Sequence, residues 1–163
     1  MSLGGVHIEP GLIDAFVHAS RTLVAAAAIS LADVDVTTAQ FRVLVLMASR
    51  GPQRPSDLAD ELQVAPSSAT RMCQRLVDQG LVEREASQAD RREVWLRPSP
   101  AGMELLRSVT RRRRATIART LSAMRADDVE RVVAVLHEFG RAAGEIPDSE
   151  WWFELGDVDA IVS

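Results

Sequence analysis

The stretch that decides the fold runs from Pro55 to Gly102, PSDLADELQVAPSSATRMCQRLVDQGLVEREASQADRREVWLRPSPAG. Leu58, Ala59 and Leu62 give a short helical apolar face, and a tight turn follows through Gln63 to Ala65. Pro66 stands where a second helix begins, a position that suits its fixed φ and where its missing N–H costs nothing. Ala69, Met72, Cys73, Leu76 and Val77 recur at helical spacing to about Gln79. Gly80 then supplies the left-handed residue that closes the helix. Leu81 to Arg84 reads as a brief strand, Ala86 to Arg92 as a polar turn, and Glu93 to Arg97 as the returning strand. Asp90, Arg91 and Arg92 therefore fall near the tip of a hairpin. Two short helices, a tight turn and a hairpin make a winged helix-turn-helix, whose second helix can enter a major groove.

Outward from this core the chain is helical. Ser99-Pro100 is an N-cap followed by proline at the first helical position. The helix it opens is predicted to reach about Arg125, with Leu105, Leu106, Val109, Ile117, Leu121 and Met124 as apolar points. Its centre is Arg111 to Arg114, one full turn of arginine that cannot all face one partner. The run is either a phosphate-contacting or interface stripe, or a solvated turn neutralised by the acidic C-terminal third, the commoner fate of charge runs. Asp127 with Glu130 predicts a cap for a last helix to about Ala143, driven by Val129, Val132, Val133, Leu136 and Phe139.

On the other side, Gly11 to Leu31 reads as a long helix with Leu12, Ile13, Phe16, Val17, Leu23, Val24, Ala27 and Leu31 at helical spacing. That face is too long and apolar for its sequence neighbours to cover alone. Thr37 with Gln40 is a capping-box signature. Phe41, Leu44, Val45 and Ala48 follow as a buried side, and Gly51-Pro52 stops the helix. Trp151, Trp152 and Phe153 are consecutive, with Leu155, Val158, Ile161 and Val162 after them. Three large aromatics in a row are unsuited to water, so they are expected to pack against the first and last helices, or to form a lid over a ligand pocket.

At 163 residues the chain is one domain, or one domain with a helical appendage. No apolar run approaches the ~20 residues of a membrane helix, and no charged n-region precedes an apolar h-region. A single cysteine forbids an internal disulfide and fits a reducing cytoplasm. The net charge of −4 is unevenly placed. Residues 41–125 hold 16 arginines against 9 carboxylates, a net +7, while residues 126–163 carry −8. Local charge within a Debye length, about 8 Å, governs affinity for phosphate, so the overall sign does not exclude DNA.

The run from Thr37 to Gly102 resembles the MarR-type (multiple antibiotic resistance regulator) transcriptional regulators. The matching pieces are TTAQFRVLVLM, DLADELQVAPSSATRMCQRLVDQGLVER, and the DRR followed by SPAG. The flanking helices extend the resemblance to about residues 11–143. Two positions depart from the family pattern. Ala65 stands where a serine N-cap is usual, and Pro98 replaces a usual leucine at the end of the wing. The fold implied is mainly α with a small β wing (α+β), a winged helix-turn-helix flanked by dimerisation helices. The divisions are 1–36 and 99–144 for dimerisation, 37–98 for the DNA-binding lobe, and 145–163 for an aromatic extension. The function implied is a homodimeric, cytoplasmic DNA-binding regulator, a repressor on a pseudo-palindromic operator. The rival is a winged helix used only as a protein-interaction or dimerisation module.

Within the second helix, Ser67, Ser68, Thr70, Arg71 and Arg75 occupy the positions expected to meet double-stranded DNA. Ser67 and Arg71 stand one turn apart, and Arg71 can fork onto guanine. By the resemblance, one arginine of the wing enters the minor groove while Asp90 braces the tip. Arg91 is taken as the groove contact and Arg92 as the partner of Asp90, with the reverse assignment open. Related regulators also bind a small aromatic acid between the DNA-binding lobe and the dimerisation helices. Phe16, His18, Phe41 and Trp95 are candidates for such a pocket by helix position, with packing the competing role for each. His7, His18 and His137 lie too far apart for a metal set. Cys73 lies on the apolar side of its helix and is expected to be a buried, inert thiol. No cofactor is implied, and no phosphate loop, nucleophile elbow or zinc pair suggests an enzyme.

Overall fold

Helix α2 (Thr38–Arg50) is the element around which the others are arranged in the computed structural model, which describes residues 2–3, 6–7, 9–86 and 94–154. The capping box forms as expected. Thr37 Oγ1 accepts from the Gln40 backbone N–H at 3.2 Å, and the Thr37 N–H donates to Gln40 Oε1 at 2.9 Å. Phe41, Leu44 and Ala48 are buried, and so are Val43, Leu46 and Met47 on the other sides of the helix. Sequence periodicity pointed to one buried side. The structure buries nearly the whole circumference, because α1 (Pro10–Leu31), α4 (Pro66–Asp78), α5 (Pro100–Leu121) and strand β4 (Val94–Pro98) each pack on a different part of it.

Gly51 ends α2 with φ of 86°, and the chain then runs alongside β4. Gln53 and Leu96 exchange two backbone hydrogen bonds, both 2.9 Å. The short helix α3 (Pro55–Leu62) begins with proline at its first turn. Arg54 precedes it, donating its backbone N–H and its guanidinium to the Asp57 carboxylate. Those bonds hold the Asp57 pKa below its ordinary value despite an opposing contribution from burial. The turn into α4 passes through Gln63, which adopts the left-handed conformation at φ 52°. Ala69, Cys73 and Leu76 of α4 face the core, and Gly80 closes the helix at φ 70° as its sequence position predicted. Ala65 makes no side-chain cap at the start of α4.

The hairpin pairs β3 (Val82–Ala86) with β4 in antiparallel register, from Val82 opposite Pro98 to Ala86 opposite Val94. Pro98 sits at the last rung, where a missing N–H is tolerated. Ser99 then ties three segments together. Its hydroxyl donates to Gly80 O at 2.6 Å and accepts from Gly102 N at 3.0 Å, while its N–H donates to Leu81 O. Gly102 is there for a steric reason: a Cβ at this position would stand 2.1 Å from Leu81 O.

Several expectations are corrected. Helix α5 ends at Leu121 rather than near Arg125, and Met124 lies exposed in the following turn. Asp127 and Asp128 account for the break. They would oppose the dipole at the C-terminus of a longer helix, whereas in the first turn of α6 (Ala126–Ala142) they favour it. Asp127 is therefore inside the helix, and no side-chain cap forms at Arg125. A short N-terminal hairpin, β1 (Ser2–Leu3) with β2 (Val6–His7), was not anticipated. Helix α1 is, against expectation, long and apolar enough to cross a membrane, with a mean hydropathy of 1.4 over an 18-residue window. Asp14, His18 and Arg21 form an exposed stripe along it at spacings of four and three, a pattern that fits a helix facing other protein.

The aromatic extension also goes elsewhere than expected, to the C-terminal end of α2. The last carbonyls of a helix lack intrahelical donors. Here the N–H groups of Trp152 and Phe153 reach Ser49 O and Ala48 O at 3.2 and 3.0 Å. Trp151 and Phe153 pack on the core, and the Trp151 indole N–H donates to Ile146 O. The Trp152 ring lies over Gly51. Glu145 receives two bonds from Arg42, and Glu154 O accepts from Arg107 of α5. Leu155, Val158, Ile161 and Val162 lie outside the described residues.

Two substitutions test this frame in urea unfolding. Gly102→Ala forces Leu81 away from the start of α5 and is expected to cost at least about 2 kcal/mol, as overpacking against backbone does. Ala65→Ser supplies the missing cap and is expected to add about 0.5–2 kcal/mol.

Candidate nucleic-acid interface

Helix α4 presents its polar side outward because Ala69, Cys73 and Leu76 hold the opposite side in the core. Ser67, Thr70, Arg71 and Arg75 are exposed, as the sequence pattern predicted, while Ser68 is half-buried. The Thr70 hydroxyl donates back to Pro66 O at 2.9 Å, so its hydrogen is already used within the helix. Arg71 leans toward Ser68, with Nη2 at 3.4 Å from Oγ. The same face carries Gln74 and Asp78, which sequence reasoning passed over. The signal was available, since Ser67, Arg71, Gln74 and Asp78 recur at intervals of four, three and four.

The wing flanks this face. Trp95 is half-buried on β4 with the Arg54 guanidinium 5.4 Å from its ring centre, so the hairpin and the start of α3 are held together. Arg97 pairs with Glu83 across the strands at 2.9 Å. Arg84 of β3 donates to Gln74 Oε1, linking the hairpin to α4. Asp90, Arg91 and Arg92 lie outside the described residues.

The arginine turn on α5 is dispersed among separate partners. Arg111 pairs with Glu104 at 3.2 Å and Arg112 with Asp33 at 3.7 Å. Arg113 lies 5.2 Å from the ring centre of buried Phe41, and burial lowers its pKa. Arg114 opposes the rise that burial imposes on the Asp148 pKa. Arg111 is thus tied within α5 itself, while Arg112 links α5 to the turn after α1, Arg113 to α2, and Arg114 acts on the C-terminal segment.

The four residues considered for an aromatic pocket have distinct surroundings. Phe16 stacks on Phe139 of α6 with centroids 4.7 Å apart, and His18 is exposed on α1. Phe41 lies beneath Arg113, and Trp95 lies against Arg54. An open polar hollow is lined by Gln53, Asp57, Asp60, Glu61 and Gln63, none of them among these four. Cys73 is buried, and burial pushes its thiol up to about 11. No group of three or more His, Cys, Asp or Glu able to hold a metal occurs among the described residues.

Residues 36–94 match the family model described as MarR family. The chain is 33% identical over 92 residues to the uncharacterized HTH-type transcriptional regulator ML2140 of Mycobacterium leprae, covering 56% of this chain and 64% of that relative. It is 29% identical over 114 residues to the HTH-type transcriptional repressor MdtR of Bacillus subtilis, covering 70% and 74%. The first curated relatives are thus matched over somewhat less than two thirds of their length, 62–64%. Among solved structures, RV1404 from Mycobacterium tuberculosis superposes with a TM-score of 0.79 at 36% identity, covering 86% of this chain and 99% of that one. The transcriptional regulator Tm0710 from Thermotoga maritima gives 0.71 at 26% identity, covering 83% and 96%. With a winged helix-turn-helix set between long helices, and 36% identity along nearly all of a solved relative, the chain belongs to the MarR family.

Proposed function

We propose that this chain is a homodimeric transcriptional regulator that binds a pseudo-palindromic operator in the cytoplasm and acts as a repressor. The observation that carries the proposal is the exposed polar face of α4, with Arg71 in its first turns, within the stretch 41–125 whose net charge is +7. Names among the relatives support the regulatory role, and that of MdtR supports repression. Homodimerisation has its own support. Leu12, Ile13, Val17, Leu23, Val24 and Ile29 of α1 are exposed in the single chain, as are Val133, Val135, Leu136 and Phe139 of α6. Large apolar patches of this kind mark protein contacts, and a second copy supplies a matching surface by two-fold symmetry. Two recognition helices would then enter successive major grooves about 34–36 Å apart. Asp90, Arg91 and Arg92 would serve the minor groove, with Arg91 inserted. Release by a small aromatic acid rests on the family likeness alone, since Phe16, His18, Phe41 and Trp95 have separate surroundings.

Sites selected from random duplex DNA provide the test. Wild-type affinity is expected to fall linearly on a log–log plot against salt, the signature of phosphate neutralisation. Arg71→Ala and Arg91→Ala are each expected to weaken binding roughly 5- to 100-fold in gel shifts while sedimentation still reports a dimer. Salt-independent or absent binding would favour a protein-interaction module instead.

Replacing both Leu136 and Phe139 with Glu is expected to turn the dimer into a monomer in sedimentation velocity. A dimer that survives both changes would place the interface elsewhere.

A further inference from the structure

We propose that Gln74 is a base-reading residue of the recognition helix, specific for adenine, and that Arg84 of the wing strand is the positioning residue that fixes how Gln74 reads. The inference rests on the DNA-binding function proposed above. It begins with placement. Gln74 is exposed on α4, three residues beyond Arg71 and seven beyond Ser67, so it lies close to the line through Ser67 along the outward face. The core positions Ala69, Cys73 and Leu76 lie on the other side.

The second observation is what holds the side chain. Arg84 Nη2 donates to Gln74 Oε1, and Gln74 Nε2 donates to Asp78 Oδ1 at 2.5 Å. A guanidinium can only donate and a carboxylate can only accept. The two partners therefore leave one orientation of the amide: oxygen toward Arg84, nitrogen toward Asp78. An unbraced glutamine can turn its amide over and meet either a donor or an acceptor, which makes it a poor discriminator. This one cannot turn without facing oxygen to carboxylate and NH₂ to guanidinium.

The third element is what remains. An amide oxygen has two lone pairs and its NH₂ two hydrogens. Arg84 engages one lone pair and Asp78 one hydrogen, so one acceptor and one donor remain for a further partner. Adenine offers the complement in the major groove, its N6–H to be accepted and its N7 to receive a donor. Guanine presents two acceptors there, O6 and N7, and would leave Oε1 opposed to O6. The wing strand thereby contributes to the reading in the major groove through a side chain that need not touch the base.

The experiment uses the full-length protein and the duplex selected by the wild type, with competition by duplexes changed one base pair at a time. The wild type is expected to prefer adenine at one position in each half-site by roughly 5- to 100-fold. Gln74→Ala is expected to flatten that position alone. The preferences elsewhere and the salt slope should stay unchanged, because an uncharged side chain releases no counterion. Arg84→Ala is expected to blunt the same position, and Arg84→Lys, which keeps a donor for Oε1, to restore most of it. An unaltered preference profile in Gln74→Ala overturns the assignment of Gln74. A shallower salt slope in Arg84→Ala with intact preferences makes Arg84 a phosphate contact and overturns its positioning role. Failure of the wild type to bind any duplex would overturn the proposed function itself, and is told apart because it precedes any comparison of variants.

Discussion

The structure depends on burying one helix almost completely. Helix α2 has Val43, Leu44, Met47 and Ala48 with no exposed surface and Phe41 and Leu46 nearly so. A helix enclosed this way fixes the directions of everything that leans on it. Its ends are the vulnerable points, since terminal N–H and C=O groups enclosed by protein need partners. The sequence supplies one locally and one from afar: Thr37 and Gln40 close the N-terminal side, and the backbone of Trp152 and Phe153 closes the other. The positions of α3, α4 and the hairpin follow from that clamped axis, and with them the outward face of α4.

Charge is arranged on a finer scale than the net value suggests. Of the arginines of α5, Arg112 reaches Asp33 in the turn after α1 and Arg113 reaches the Phe41 ring of α2, so these two act as struts, while Arg111 pairs with Glu104 of its own helix. Arg71 and Arg75 of α4 and Arg84 of β3 stand outward, and Arg84 attaches to Gln74 on the exposed face of α4. One residue type thus serves both inside the frame and at its surface. Arginine suits both, because a guanidinium stays charged when half-buried and stacks on aromatic rings.

Much of the frame could be read directly from residues. Pro66 and Gly80 bracket α4, Thr37 with Gln40 starts α2, and Ser99-Pro100 starts α5, because each is a local device acting within a turn of itself. What escaped depends on distant partners. Nothing in the alternation of Val43, Leu46 and Met47 says that neighbours will cover every side of α2. Nothing near Trp151 announces that its segment will return to residues 48–51. The polar face of α4 was legible for Ser67, Thr70 and Arg71, whose chemistry toward DNA is familiar. Gln74 went unremarked because its significance comes from Arg84, ten residues away on another element. The glycine of the Ser-Pro-Ala-Gly motif was visible as a pattern, and its cause appeared only with Leu81 O standing where a Cβ would be.

Cys73 is the chain's sole cysteine and lies on the inner side of α4. A sulfhydryl hidden beneath the element that faces outward is a natural clock for that element's motions. A maleimide dye can reach it only in the brief intervals when α4 lifts from the body of the lobe, so labelling speed counts those openings. Any molecule that grips the helix from outside would slow the clock without touching the sulfur.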